Sequence, residues 1–215
     1  MKKILLIFTI LFGFINLNAQ IDAAAGMGIS FVNNSSLKDY ININFAAGDN
    51  LSTFYSTVEG FAEVDYTINN TFQIGLDYSY QYFSYNTSYG GIGQYDLSYA
   101  LHKPSLIAYY VIAGAGYKFK FGGGVGPRLL SLDEKLPSSV NSLNYSKTGF
   151  GLLGRIQGHT LLGGNVYANV GLDLRYDSVG QPEDKNGNTL GQVSNQSVDI
   201  NSLSVSIRIG ISYFF

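Results

Sequence analysis

The chain has 215 residues, with 13 Lys and Arg against 15 Asp and Glu, no Cys, no Trp, 26 Gly, 17 Tyr and 14 Phe. The lack of cysteine excludes disulfides, thiolate metal sites, a cysteine nucleophile and a lipid-modified N-terminal cysteine. No basic block is present, so nucleic acid is not an expected partner.

The first residues read as an export signal. Lys2 and Lys3 precede an apolar run from Ile4 to Ile15, and Asn16 to Ala19 is short, polar and ends in a small residue. The run is shorter than the roughly 20 residues a membrane-spanning helix needs. Residues 1–19 are therefore expected to be removed, and 20–215 to form a single domain.

Beyond the signal, apolar and polar positions alternate, the mark of strands with two unlike faces. Ala23, Ala25, Met27, Ile29 and Phe31 share one face of the first strand. Val58, Ala62, Val64, Tyr66 and Ile68 oppose Glu59, Phe61, Glu63, Asp65 and Thr67. Phe72 to Tyr82 alternates with Gln73 to Gln81, placing Asp77 among the polar residues. Tyr117, Phe119, Phe121 and Val125 alternate with Lys118, Lys120 and three glycines. Residues 148–158 form a Gly-rich strand. Val166, Ala168, Val170, Leu172, Leu174 and Tyr176 oppose Asp173 and Arg175. The last strand sets Leu203, Val205, Ile207, Ile209, Ile211, Tyr213 and Phe215 against Arg208 and four serines.

Eight strands are predicted, at 22–32, 53–68, 71–85, 94–112, 117–130, 146–158, 166–177 and 198–215. Their connections alternate between short turns and longer loops rich in Asn, Ser, Gly and Asp. Long loops at one end and short turns at the other are the habit of outer-membrane barrels. The strands are long enough to cross a bilayer at about 9–11 residues each. Aromatic residues gather toward both ends of the apolar faces, Tyr99 included, as interfacial girdles require. The expected fold is an all-β, eight-stranded, antiparallel up-and-down transmembrane barrel.

The polar faces then line the lumen. This puts Glu59, Glu63, Asp65, Asp77 and Asp173 inside with Lys118, Lys120, Arg128, Arg155, Arg175 and Arg208. Near-balance of charge fits a filled polar core, because an unpaired buried charge costs several kcal/mol. The fourth strand resists this pattern. Continuing the alternation from Leu97 places Lys103 on the lipid face, so a bulge near Pro104 is expected to reset the register and turn Leu106, Ala108 and Tyr110 outward.

Candidate chemistry is sparse. His102 and Ser105 are three apart on a strand and point to opposite faces, while His159 falls in a predicted turn before Thr160; neither meets the geometry of a Ser-His-acid triad. Gly122 to Gly126 lacks the Lys-Ser/Thr and helix of a phosphate loop. Asp184-Lys-Asn-Gly-Asn188 lacks the sixth-position Gly and terminal Glu of a calcium loop. No catalytic residue, metal ligand or cofactor is expected.

Residues Ala100 to Tyr110 and Tyr117 to Leu130 contain a Pro followed by aliphatics and Tyr, then a hairpin into an aromatic–Gly-Gly–Gly-Pro strand. This resembles the outer-membrane β-barrel family common in Bacteroidota, with its porin-like and small eight-stranded members. Phe215, ending an alternating strand, resembles the signal read by the barrel assembly machinery. The resemblance implies an outer-membrane location and lipid and assembly-machinery partners, and carries over no catalytic residue. Four roles follow as expectations: an interaction barrel touching another envelope protein through its loops or rim, an accessory subunit of a secretion system, a narrow passive channel, or a lipid-modifying enzyme.

Overall fold

A strand beside hydrocarbon has no water to bond its backbone, so a sheet there survives only by closing on itself. A computed structural model describes residues 21–46, 50–89, 91, 93–137 and 139–215; the export signal lies outside the described residues. Eight strands pair in chain order: β1 (Ile21–Asn33), β2 (Tyr55–Asn69), β3 (Phe72–Tyr89), β4 (Gly93–Gly114), β5 (Tyr117–Lys135), β6 (Leu143–Gly163), β7 (Val166–Ser178) and β8 (Ser202–Phe214). Each is antiparallel to the next. β8 returns to β1 in a register running from Asp22↔Phe214 to Asn33↔Leu203, so the ring has no free edge.

Outward positions are apolar along the middle of every strand. Met27 is 66% exposed, Leu76 66% and Ile209 65%. A continuous apolar surface of this extent is not a surface for water. Tyr66, Phe72, Tyr110, Tyr117 and Tyr213 border the band near the short turns, and Phe31, Tyr78, Tyr80, Tyr82 and Tyr176 border it toward the loops.

Four sequence expectations need correction. Leu97, Tyr99, Leu101 and Lys103 all face inward, and β4 pairs with β3 without a bulge from Phe72↔Tyr110 to Tyr89↔Gly93. Above the band the interior is apolar, so equating apolar with outward inverted this half of β4, and Tyr99 belongs to the interior instead of the girdle. β6 runs on to Gly163, so His159 sits within a strand and points into the lumen; the turn falls at Gly164, whose φ of +56° suits glycine. β8 starts at Ser202, leaving Val198 and Ile200 in the preceding loop.

The fourth correction is a helix, α1 (Ser35–Asn44), in the first loop. Asn34 caps it, its side chain accepting from the Leu37 N–H at 2.9 Å. Leu37, Tyr40 and Ile41 fall three and four apart and form its buried stripe. They pack with Tyr55, Phe83, Tyr95, Leu97, Tyr99, Leu130, Leu132, Val179, Leu190, Val198 and Ile200 into an apolar cap filling the loop end of the ring.

Substituting Leu172, at the middle of β7 and facing outward, tests the solvent of the band. Leu172→Arg is expected to cost about 2–4 kcal/mol of stability in lipid vesicles, read as a lower urea midpoint. Ser84→Arg, beyond the Tyr82 girdle, is expected to cost less than about 1 kcal/mol.

Candidate functional site

Below the cap the lumen is filled by charge. Asp22, Glu59, Glu63, Asp65, Asp77, Asp173 and Asp177 face Lys103, Lys118, Lys120, Arg128, Arg155, Arg175 and Arg208, and all but the partly buried Lys118 are buried. The eleven charged residues expected in the lumen all point there. Sequence reading missed three more. Lys103 was assigned to the wrong face, and Asp22 and Asp177 lie one or two residues past the stretches used to read alternation.

The centre is built from three guanidinium groups on two carboxylates. Arg155 grips Asp173 with two bonds, Nε to Oδ1 at 2.7 Å and Nη2 to Oδ2 at 2.8 Å. Its Nη1 donates to Glu63 at 2.5 Å and Asp77 at 2.8 Å. Arg175 reaches Asp173 at 2.7 Å and Glu59 at 3.3 Å. Arg208 reaches Asp77 at 3.0 Å and Asp173 at 3.3 Å, with its guanidinium 3.5 Å from the centre of the Phe61 ring. Forked guanidinium–carboxylate geometry of this kind gives the strong, directional bonds that buried charges require.

Two smaller clusters flank the centre. Toward the loops, Lys103 donates to Glu59 at 2.6 Å and Gln81 at 2.7 Å, and Arg128 pairs with Asp177. Toward the short turns, Lys118 and Lys120 share Asp22 at 2.7 and 2.9 Å, and Lys120 also holds Asp65 at 2.5 Å. Tyr109, buried in the lumen, donates to Glu63 at 2.9 Å. Its ring lies against Gly122, where any side chain would collide with it. The Gly-rich run in β5 therefore makes room for inward-facing bulk from β4.

The cap holds a carboxylate of its own. Glu134 is buried and accepts from Tyr40 at 2.7 Å, Tyr95 at 2.9 Å and Tyr145 at 3.5 Å. Tyr40 is on α1, so this bond ties the helix to the barrel wall.

The remaining sequence candidates stay apart. His102 faces outward at the loop-side girdle, with its Nδ1 2.5 Å from the Tyr78 hydroxyl. Ser105 points inward, away from it. His159 Nδ1 lies 3.0 Å from Ser212 Oγ, but its Nε2 faces Gln157 Oε1 at 3.1 Å where a triad needs a carboxylate. Asp184 accepts from Asn186 and Asn188 N–H groups at 2.8 Å and from the Asn188 amide at 2.9 Å. Those bonds, the Asn188 side chain's first, hold its carboxyl below the usual range. They close a surface turn upon itself. Among the described residues, no three His, Asp or Glu side chains are placed to hold a metal ion.

The architecture has solved counterparts. Neisserial surface protein A is 15% identical, with a TM-score of 0.57 over 92% of this chain and 98% of that one. Ail, the attachment invasion locus protein of Yersinia pestis, is 12% identical, with a TM-score of 0.55 over 93% and 100%; it has also been solved with the heparin analogue sucrose octasulfate. A major outer membrane protein from Thermus thermophilus is 14% identical, with a TM-score of 0.53 over 91% and 99%. This chain has the fold of the small eight-stranded outer-membrane barrels. No protein-family model and no curated protein sequence matches it.

Asp173→Ala removes a partner from Arg155, Arg175 and Arg208 at once. It is expected to cost about 3–5 kcal/mol, measured by urea titration of the barrel's circular dichroism in lipid. Ile41→Asp is expected to release the helix without opening the ring. Trypsin should then cut after Lys38 far faster than in the parent, while the compact, heat-modifiable gel band persists.

Proposed function

We propose that this chain is an integral protein of the bacterial outer membrane: a filled, non-enzymatic barrel that acts through its ordered loop end on another envelope protein or an external surface. The observation that carries the reading is the filled lumen, capped at its loop end. From Lys120 to Arg128 the charged side chains are at most 3% exposed and bonded to one another, and α1 and the last loop seal the cap above them. A scaffold packed from within has its outer end and rim left for contact.

The apolar band, its two aromatic borders and the likeness to outer-membrane barrels support that membrane as the location. Lipid then bathes the band, and the short turns and both chain ends lie in the periplasm. Phe215, 60% exposed and bonded through its N–H to Ile21 O at 3.0 Å, ends the strand that closes the ring. It is the residue we assign as the signal for the barrel assembly machinery. The Bacteroidota type rests on the motif at 100–130.

The alternatives fare less well. A passive channel needs a continuous wet path, against which the paired centre and the cap both stand. A lipid-modifying enzyme needs a reachable nucleophile, and Ser212 and His159 are both buried. A secretion-system subunit would use the same loops or rim. A polyanion such as the heparin analogue bound by Ail suits this loop end poorly. Lys38, Lys135, Lys147 and Lys185 are outnumbered there by Asp39, Asp96, Asp133, Glu183, Asp184 and Asp199.

In planar bilayers the purified barrel is expected to show no stepwise single-channel current; clear ohmic steps would defeat the filled-barrel reading. Cross-linking in native membranes is expected to capture a stoichiometric partner through loop positions such as Val140, which is 93% exposed. Isolation without one would defeat the interaction role.

A further inference from the structure

Among the described residues, the lumen is sealed by an apolar cap at the loop end and less deeply covered at the other. Beside the short turns lies a cavity of about 390 Å³, lined by Thr67, Asn70 and Gln73 of the β2–β3 hairpin, Val111 and Ala113 of β4, and Lys118 of β5. Its volume falls within the roughly 300–1,000 Å³ of small-ligand sites.

Three features give it a chemistry. Among the described residues, Lys118 is the one lumen base with a side chain reaching solvent, at 15% against 0% for Lys103 and 1% for Lys120. Its ammonium carries three donors and makes one carboxylate contact, to Asp22, with the Phe214 ring 3.8 Å away. Asp22 is shared with Lys120 and with the Gln73 amide at 2.8 Å, and Asp22 and Asp65 lie buried behind. The charge that meets an incoming group is thus positive.

The second feature is Gln73, only 2% exposed. Its Nε2 is used by Asp22 and by Thr67 Oγ1 at 2.7 Å, while its Oε1 accepts no hydrogen bond. An acceptor left without a donor in a buried place is costly. The third is the wall of Val111 and Ala113, apolar and shallow.

We propose that this cavity binds the free carboxyl end of a peptide. The terminal carboxylate pairs with Lys118 Nζ, the last peptide N–H donates to Gln73 Oε1, and a small final side chain rests on Val111 and Ala113. Acetate satisfies Lys118 but brings no donor for Gln73, and phosphate, whose remaining O–H can donate, has no apolar part to rest on Val111 and Ala113. A carboxyl terminus brings both, one residue apart. The tail of a soluble protein and the peptide of the cell wall share this chemistry; they differ in the chirality of the last residue.

This inference takes from the proposed function only that the short turns face the periplasm. The test uses the full barrel in detergent micelles, where both ends meet solvent, so an inverted orientation leaves binding intact and a wrong site abolishes it. Dye-labelled Gly-Ala-Ala is titrated by fluorescence anisotropy as the free acid, as the C-terminal amide and with D-alanine last. The free acid is expected to bind, and the amide to bind about tenfold or more weakly, the scale of a lost charge-assisted bond. Lys118→Met should lose a similar factor and Lys118→Arg should restore most of it. Gln73→Met should weaken the peptide and leave the weak competition by acetate unchanged. The D- and L-terminated arms show which source fits. Equal binding of acid and amide, displacement by inorganic phosphate at peptide concentrations, or full binding by a folded Lys118→Met barrel would each overturn the proposal. Should Lys118→Met fail to fold, the acid–amide comparison on the parent protein decides alone.

Discussion

Everything in this molecule turns on the pair of carboxylates at its centre. Asp77 on β3 and Asp173 on β7 are gripped by Arg155 of β6, Arg175 of β7 and Arg208 of β8, and Glu59 and Glu63 tie β2 into the same knot. Desolvating so many charges largely offsets their attraction, so the network is poor evidence for stability. Its larger effect is on register. Side chains alternate with a period of two, so a slip of one residue in any strand would turn its charges out into hydrocarbon and its leucines in. The ion pairs make every other register far worse.

That logic also decides what could be read from the sequence. Within the apolar band, one solvent lies outside and one filling lies inside, and alternation sorts Leu172 from Asp173 and Ile207 from Arg208 without ambiguity. Beyond the band the outside becomes water. The inward face can then be apolar, as at Leu97, Tyr99 and Leu101, and the pattern changes meaning along one unbroken strand. β4 carries Leu101 and Lys103 as consecutive inward residues, the last of the cap and the first of the charged lumen. No local signal marks that boundary. It is set by where the headgroups lie and by a helix contributed from the first loop. α1 was hidden for a related reason. Its stripe of Leu37, Tyr40 and Ile41 is short, and its partners arrive from loops and strand ends far along the chain.

The same change of solvent explains why the two ends of the barrel differ. The loop end has a core of the ordinary globular kind, with stacked Phe45 and Tyr95 rings and a carboxylate bonded to three phenols. Among the described residues, the short-turn end has a lighter cover: the Phe214 ring, stacked on Tyr167, lies 3.8 Å from Lys118 Nζ. Its hairpins are too tight to fold over the opening, so the Lys118 side chain stays 15% exposed there, with Gln73 buried beside it.

The wall itself depends on the filling. Between the pairs His102↔Leu129 and Leu106↔Val125, the β4–β5 ladder has a gap where Pro104 faces Pro127. Neither residue has an N–H to donate, so the carbonyls nearby lack their usual partners. Arg128 supplies donors from inside: the N–H groups of its Nη1 are shared among Pro104 O at 3.3 Å, Gly126 O at 3.2 Å and Pro127 O at 3.0 Å, while Asp177 holds its Nε. Gly126 is required there because any side chain would strike the Pro104 carbonyl. This gap in the β4–β5 seam is therefore completed by a lumen charge, which needs its own carboxylate to remain buried. Closure of the sheet and neutrality of the interior are in this respect one condition, and neither could be met by a sequence that satisfied only the other.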